Sequence, residues 1–224
     1  CNGKKVEEDG ATAITAFSEA LTTSELVVSS DVTSIIVDEL LKSKSAAARE
    51  AGCKIVSSIA KKLGESIVPS LFAMSGIVLA LCGDKKSKEV REEADVAINS
   101  VFEVVPAPAV PVFVKRFILE GEESGLADLA RWQTKVTSLK LLSKSAKQAP
   151  REIESMMTTL VPIISDKMWD TRKQVKVQAA DTLEDVCDAI DNIDLEPFIP
   201  SMVEAIEKPD TVADCVYALA GTTF

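Results

Sequence analysis

The sequence contains no histidine. That removes histidine-based catalytic triads, Cys/His zinc sites and His-ligated metals in one step. Aromatic residues make up only 4% of the chain against 46% hydrophobic residues. The apolar content is therefore mostly Ala, Val, Leu and Ile, which suits close-packed helices. Cysteines are few, odd in number and widely spaced (Cys1, Cys53, Cys82, Cys187 and Cys215), with no C-x-x-C. This pattern argues against a disulfide framework and for reduced thiols in a cytosolic protein, with the last four as small buried hydrophobes. Catalytic motifs are missing too. The string Gly83-Asp84-Lys85-Lys86-Ser87-Lys88 lacks the first glycine and the spacing of a phosphate-binding loop, and neither G-x-G-x-x-G nor G-x-S-x-G occurs. The run Asp181, Glu184, Asp185, Asp188 has no calcium-loop pattern. No catalytic or cofactor site is expected.

What is present is a folded, charged chain of 224 residues, 27% of them Asp, Glu, Lys or Arg. It holds 35 acids and 25 bases, a net charge of -10, which argues against a uniformly basic nucleic-acid binder. The opening Cys1-Asn2-Gly3-Lys4-Lys5 leads into Glu7, Glu8 and Asp9 and is not a signal peptide. The first residue is not Met, so the chain is expected to be a piece of something longer. Residues 67–82 are mostly apolar and lie in an uncharged stretch between Glu65 and Asp84. Their length is near the lower limit for a spanning helix, about 17 residues. Pro69, Ser70, Ser75, Gly76 and the amphipathic flanks point instead to a buried helix in a helical stack.

Apolar residues recur at three- and four-residue spacing almost throughout, and no segment alternates like a strand. In 46–63, Ala47, Ala51, Ile55, Ile59 and Leu63 recur every fourth residue while Lys54, Lys61 and Lys62 lie off that line, the pattern of an amphipathic helix. Further helices are predicted over 11–22, 32–42, 67–82, 88–105, 110–119, 130–147, 153–168, 172–190, 196–207 and 213–220. Gly64, Gly83, Pro106, Pro150 and Asp191-Asn192 fall between them.

Four of these helices carry a basic residue at a matching place: Arg49, Arg91, Lys135 and Lys176, at intervals of 42, 44 and 41 residues. Val68-Pro69, Val110-Pro111, Val161-Pro162 and Ile199-Pro200 stand near the starts of alternate helices, where a missing N–H costs nothing. A unit of about forty residues made of two helices is the period of HEAT repeats. The string "VPIISDKMWDTRKQVKVQAADTL" resembles that signature, with Asp170 in the turn and Val175-Lys176 in the second helix. A turn aspartate can cap the following helix, and the basic residue can pair with an acid of the adjacent repeat. The expected fold is all-α, a right-handed superhelix of repeats at 11–43, 44–63 (pairing with 32–42), 65–105, 107–148, 151–190 and 195–224. The first repeat, with no proline and no turn Asp, matches weakly. The chain stops before any polar capping helix, so the native protein is expected to continue.

Charge is partitioned along this array. Residues 1–128 carry -6, 129–176 carry +6 and 177–224 carry -10. The basic block comprises Arg131, Lys135, Lys140, Lys144, Lys147, Arg151, Lys167, Arg172, Lys173 and Lys176. Lys140, Lys144 and Lys147 share a helix face. A solvated face with inter-repeat pairing and a phosphate-contacting ridge are both open readings. The contact candidates are Arg131, Lys135, Lys140, Lys144, Lys147, Arg172, Lys173 and Lys176. Trp132 and Trp169 are expected to pack between helices rather than present a base-stacking platform.

The strings "MWDTRKQVK" (168–176), "DNIDLEPFIPSMVEAI" (191–206), "AGTTF" (220–224) and "RWQTKVTSLKLLSKSAKQAP" (131–150) resemble the N-terminal HEAT domain of fungal-type translation elongation factor 3. The resemblance runs from about residue 44 to the end, and 1–43 match it weakly. It implies a cytoplasmic module that binds the ribosome, touching ribosomal RNA and ribosomal proteins. It also implies a parent that hydrolyses ATP with Mg in two ABC cassettes and promotes tRNA release from the exit site. With no cassette in this chain, no enzymatic activity, cofactor, small-molecule substrate or membrane partner is expected of it, and a monomer is. The giant ribosome-associated activator of the starvation-response kinase carries a similar segment. A HEAT scaffold for proteins alone is the reading from another class.

Overall fold

The computed structural model of the chain describes residues 30–120 and 124–188. The helices predicted over 11–22, 196–207 and 213–220 lie outside them, as do Pro200, Asp191-Asn192, Cys1 and Cys215. All described residues belong to one compact unit, and a second unit, 190–224, falls outside them. The described elements are helical throughout: α1 (Ser30–Ile35), continued by a π-helical turn Ile36–Leu41, α2 (Ala46–Leu63), α3 (Val68–Leu81), α4 (Lys88–Glu103), α5 (Val110–Phe113), continued by a π-helical turn Val114–Leu119, α6 (Trp132–Gln148), α7 (Pro150–Glu154), α8 (Met157–Lys167) and α9 (Lys173–Asp188).

Local chemistry sets these boundaries. Ser45 caps α2 by accepting from the Ala48 N–H, and Gly64, at φ 60°, stops it. Ser87 caps α4 by accepting from the Val90 N–H at 3.1 Å. Pro69 and Pro111 occupy first turns, as expected. Pro162 does not: it lies inside α8. The proline that opens a helix there is Pro150, which begins α7 instead of filling a turn. Residues 153–168 are accordingly two helices rather than one. Pro162 is tolerated because it sits on the exposed side of α8, where the carbonyl it leaves unpaired can meet water.

The elements pair and stack as repeats. α1 with its π turn packs on α2, α3 on α4, and α8 on α9, while the second helices stack α2 on α4 and α6 on α9. Hydrogen bonds between second helices repeat the period. Ser57 and Ser100 share a bond at 3.0 Å across 43 residues, and Thr182 donates to the Leu139 carbonyl at 3.0 Å across 43 residues. Small hydroxyl residues permit this close approach, and each buried hydroxyl finds an acceptor. The few aromatics are concentrated. Phe72, Phe102, Phe113 and Phe117 meet edge to face with ring centroids 5.2–5.8 Å apart, joining α3, α4 and α5 with its π turn. The continuous helical run Ala46–Leu81 is long and apolar enough to cross a membrane by length and composition alone. Its apolar side is used in the core instead, with Val56, Ile59, Leu71 and Val78 fully buried.

Cys53 and Cys82 are buried as expected, and Cys187 is exposed. The buried stripe of α9 is Val175, Ala179, Thr182 and Val186. Position 187 lies one residue off that line, which turns the thiol outward.

Candidate functional site

The basic block divides into cations used inside the stack and cations left outside it. Arg49 on α2 reaches the turn of the next repeat, where its guanidinium lies 2.9 Å from the Asp84 carboxylate, both side chains about nine-tenths buried. It also donates to the Ser43 carbonyl of its own turn at 2.8 Å. Thirty-five residues separate Arg49 from Asp84, and the same interval separates Lys135 from Asp170. That pair meets at 3.2 Å with both side chains 11% exposed. Burial alone would raise the Asp84 carboxyl. The N–H groups of Ser87 and Lys86, together with Arg49, outweigh it and hold Asp84 below the ordinary carboxylate range. At Asp170 burial likewise pushes up, and the Arg172 N–H, the Lys135 hydrogen bond and its charge pull the carboxyl down. Each turn aspartate thus ties down N–H groups of the turn just before its own second helix, rather than capping the helix itself as expected, and anchors the previous repeat.

Arg91 breaks the pattern. The residue thirty-five positions on is Leu126, which is buried in the core. Arg91 turns back and donates to the carbonyls of Asp84 and Ser87 at 2.8 and 3.1 Å. α4 and α6 are correspondingly less intimately packed than the other second-helix neighbours. A shallow groove of about 420 Å³ lies along them, edged by Asp95, Val96, Trp132 and Lys140. It is bridged by Thr137 donating to Asp95 at 2.8 Å, Lys144 to the Asn99 side chain at 2.7 Å and Gln148 to the Val105 carbonyl at 2.6 Å.

Among the contact candidates, Lys135 is therefore withdrawn, because it is buried and committed to Asp170. Lys147 is ion-paired with Asp185 at 2.7 Å, and Ser143 donates to the same carboxylate. Lys144 holds Asn99. The face shared by Lys140, Lys144 and Lys147 is thus partly a bridge between repeats, and of the three only Lys140 has no partner among the described residues. The acid run on α9 shares this role through Asp185, and no cluster with metal-holding geometry occurs among the described residues. Lys167 lies between Asp166 at 3.0 Å and Asp128 of the neighbouring turn at 3.5 Å.

Arg131, Arg172, Lys173 and Lys176 are exposed, with no ion pair to any described carboxylate. Arg131 directly precedes α6, and Arg172 and Lys173 open α9, so three of the four stand where a connection leads into a second helix. Beside them stands Trp169, 85% exposed. This corrects the expectation that it packs between helices. α8 ends at Lys167, and Trp169 sits in the turn beyond it, its N–H donating to the Asp166 carbonyl at 3.1 Å. Its neighbours Lys167 and Asp170 are held by the stack, and its own ring turns outward between them. Trp132, by contrast, is half-buried against the core. Leu129, 87% exposed, stands on the turn joined to that of Trp169 through the Asp128–Lys167 pair. Nothing in hydrophobic periodicity could have marked these two apolar residues as external, since turns have no period.

Comparison with known proteins agrees with this architecture. Residues 7–183 match the family model for the EF3 N-terminal HEAT repeat. Curated relatives include elongation factor 3 of Phytophthora infestans, 33% identical over 82% of this chain and 17% of that protein. Elongation factor 3 of Zygosaccharomyces rouxii is 35% identical over 72% of this chain and 15% of that protein. Elongation factor 3B of Saccharomyces cerevisiae is 30% identical over 88% and 19%. The chain spans less than a fifth of the length of these relatives. Among solved structures it is similar to an engineered protein, with TM-score 0.41 and 17% identity over 70% of this chain and 63% of that one. It is also similar to a designed armadillo repeat protein, with TM-score 0.30 and 16% identity over 69% and 81%. With a stacked array of helix pairs and a family match over most of its length, the chain belongs to the elongation factor 3 N-terminal HEAT-repeat family.

Proposed function

We propose that this chain is the ribosome-binding module of an elongation factor 3-like protein acting in the cytoplasm. Its parent would use ATP hydrolysis in ABC cassettes to promote release of tRNA from the exit site. The contact runs along the turns: Arg131, Arg172 and Lys173, with Lys140 and Lys176 on the adjoining second helices. The observation that supports this reading is the set of cations left without an ion pair among the described residues after the inter-repeat pairs are made, in the one segment of positive charge. Phosphates of ribosomal RNA fit these groups. Neutralising each releases counterion, so the affinity falls as salt rises. The acidic flanks repel RNA and face basic ribosomal proteins more comfortably.

The test is cosedimentation of the 224-residue chain with eukaryotic ribosomes across a salt series. Arg172→Glu with Lys173→Glu should abolish binding near physiological salt, and Lys140→Glu should weaken it. The turn variant should also flatten the logarithmic salt slope by roughly two, one per lost phosphate contact. Unchanged cosedimentation in both variants, with helicity intact by circular dichroism, would leave a protein-only scaffold as the better account.

A further inference from the structure

The turn between α8 and α9 carries more than charge. Trp169 is 85% exposed and Met168 37% exposed, while Asp166 and Asp170 are occupied by Lys167 and Lys135. Asp170 is thus neutralised by Lys135, while Asp166 shares the one cation of Lys167 with Asp128. The free charges within four residues of it, Arg172 and Lys173, are both positive. An exposed indole is costly to keep in water, and here nothing among the described residues covers it. A partner suited to this turn offers a flat apolar face and negative charge in one small unit. A nucleotide joins the two in one unit, a base for the indole and a phosphate for the cations.

We infer that Trp169 is a stacking platform for an unpaired base of single-stranded RNA, with Arg172 and Lys173 holding the phosphates beside it. The inference rests on the reading of this turn as an RNA contact and narrows it, because a duplex buries its base faces and would use the cations alone. Leu129 is exposed on the adjoining turn, which the Asp128–Lys167 pair ties to this one. An apolar pocket on a protein would also accept an indole, but it gains nothing from two unpaired cations at its rim unless that rim is acidic.

Tryptophan emission tests this directly. Trp132→Phe leaves Trp169 as the sole indole of the chain. A twelve-nucleotide single-stranded oligoadenylate should then quench its emission. A duplex RNA of the same length and inorganic polyphosphate should leave it unchanged while still binding. Trp169→Ala should weaken oligoadenylate binding about tenfold, Trp169→Phe less, and duplex binding should stay as it was. Equal quenching by polyphosphate, or unaltered affinity in Trp169→Ala, would overturn the inference. So would a Trp169→Ala variant that loses ribosomes but keeps oligoadenylate affinity, since the indole would then be docking on protein. Failure of the broader reading has a different signature: Arg172→Glu with Lys173→Glu would leave ribosome cosedimentation intact.

Discussion

Replacing Asp84 by Ala removes three interactions at once: the ion pair with Arg49 at 2.9 Å and the hydrogen bonds from the Lys86 and Ser87 N–H groups at 2.8 and 2.9 Å. The Arg49 guanidinium stays behind, nine-tenths buried with no counter-charge. Removing one member of a buried pair costs about 3–5 kcal/mol, most of it the stranded partner. Asp84→Asn separates the contributions. The two N–H groups bind one carboxylate oxygen and Arg49 the other, so an Asn keeps its amide oxygen on the N–H groups and turns its NH2, a donor, toward Arg49. The turn bonds survive and the ion pair does not, so Asp84→Asn should cost most of what the ion pair contributes, about 2–4 kcal/mol. For a chain of this size each kcal/mol lowers Tm by roughly 2–4 °C. Asp84→Ala should therefore melt roughly 6–20 °C below the parent by circular dichroism at 222 nm, with Asp84→Asn in between. Asp128→Ala serves as a control, because the Asp128 side chain is 97% exposed in its pair with Lys167 and should cost less than about 0.5 kcal/mol. Hydrogen exchange should localise the damage to the start of α4 and the end of α1 with its π turn, since a repeat touches mainly its neighbours. If Asp84→Ala cost no more than Asp128→Ala, the pair would not be holding the repeats together.

Three further outcomes follow from the same geometry. Asp84 and Asp170 have depressed carboxyls. Their stabilisation is complete above the unfolded aspartate value, about 3.9, and is lost as pH falls through the folded values. Melting temperature should drop below about pH 4, and the drop should shrink in the Asp84→Asn, Asp170→Asn double variant. A methyl group at Gly125 would meet the Ser138 hydroxyl and approach Leu79 to 2.9 Å. Gly125→Ala should therefore destabilise by about 1–3 kcal/mol in urea titrations, and Ser138→Ala should recover part of the loss. Iodoacetamide followed by mass spectrometry should label Cys187 well before Cys53 or Cys82, because burial pushes the Cys53 thiol up to about 12 and raises that of Cys82.

The helices were legible because amphipathic periodicity survives wherever one face is buried. The predicted boundaries of 46–63 coincide with α2, whose caps, Ser45 and Gly64, are themselves sequence signals. The segment 153–168 was misread because its apolar spacing continues across the break between α7 and α8. There, Pro150 rather than Pro162 marks a helix start. That a basic residue pairs with an acid of the adjacent repeat was legible as a motif, and so were the basic block and its boundaries; that the acid is the turn aspartate itself was not. Which of its members are free was not, because that depends on partners far away in the chain. Lys147 finds Asp185 and Lys144 finds Asn99 only after the second helices stack.

One part of that division does reduce to arithmetic on the sequence. A basic residue near the start of a second helix is internal when an aspartate stands thirty-five residues later, as for Arg49 with Asp84 and Lys135 with Asp170. Where the position holds Leu126 instead, Arg91 folds back on its own turn and the neighbouring second helices part to leave a groove. The positive segment therefore does two jobs that sequence charge alone adds together. Lys135 and Lys147 join repeats, and Lys167 ties neighbouring turns. Arg131, Arg172 and Lys173 project from the turns, where no element of the stack competes for them. A turn is the cheapest place to keep such groups unpaired, since water solvates them until a partner arrives. The exposed Trp169 belongs to the same turn: Lys167 and Asp170 on either side of it are held by the stack, while its own ring is left outside the core and is available to something beyond it.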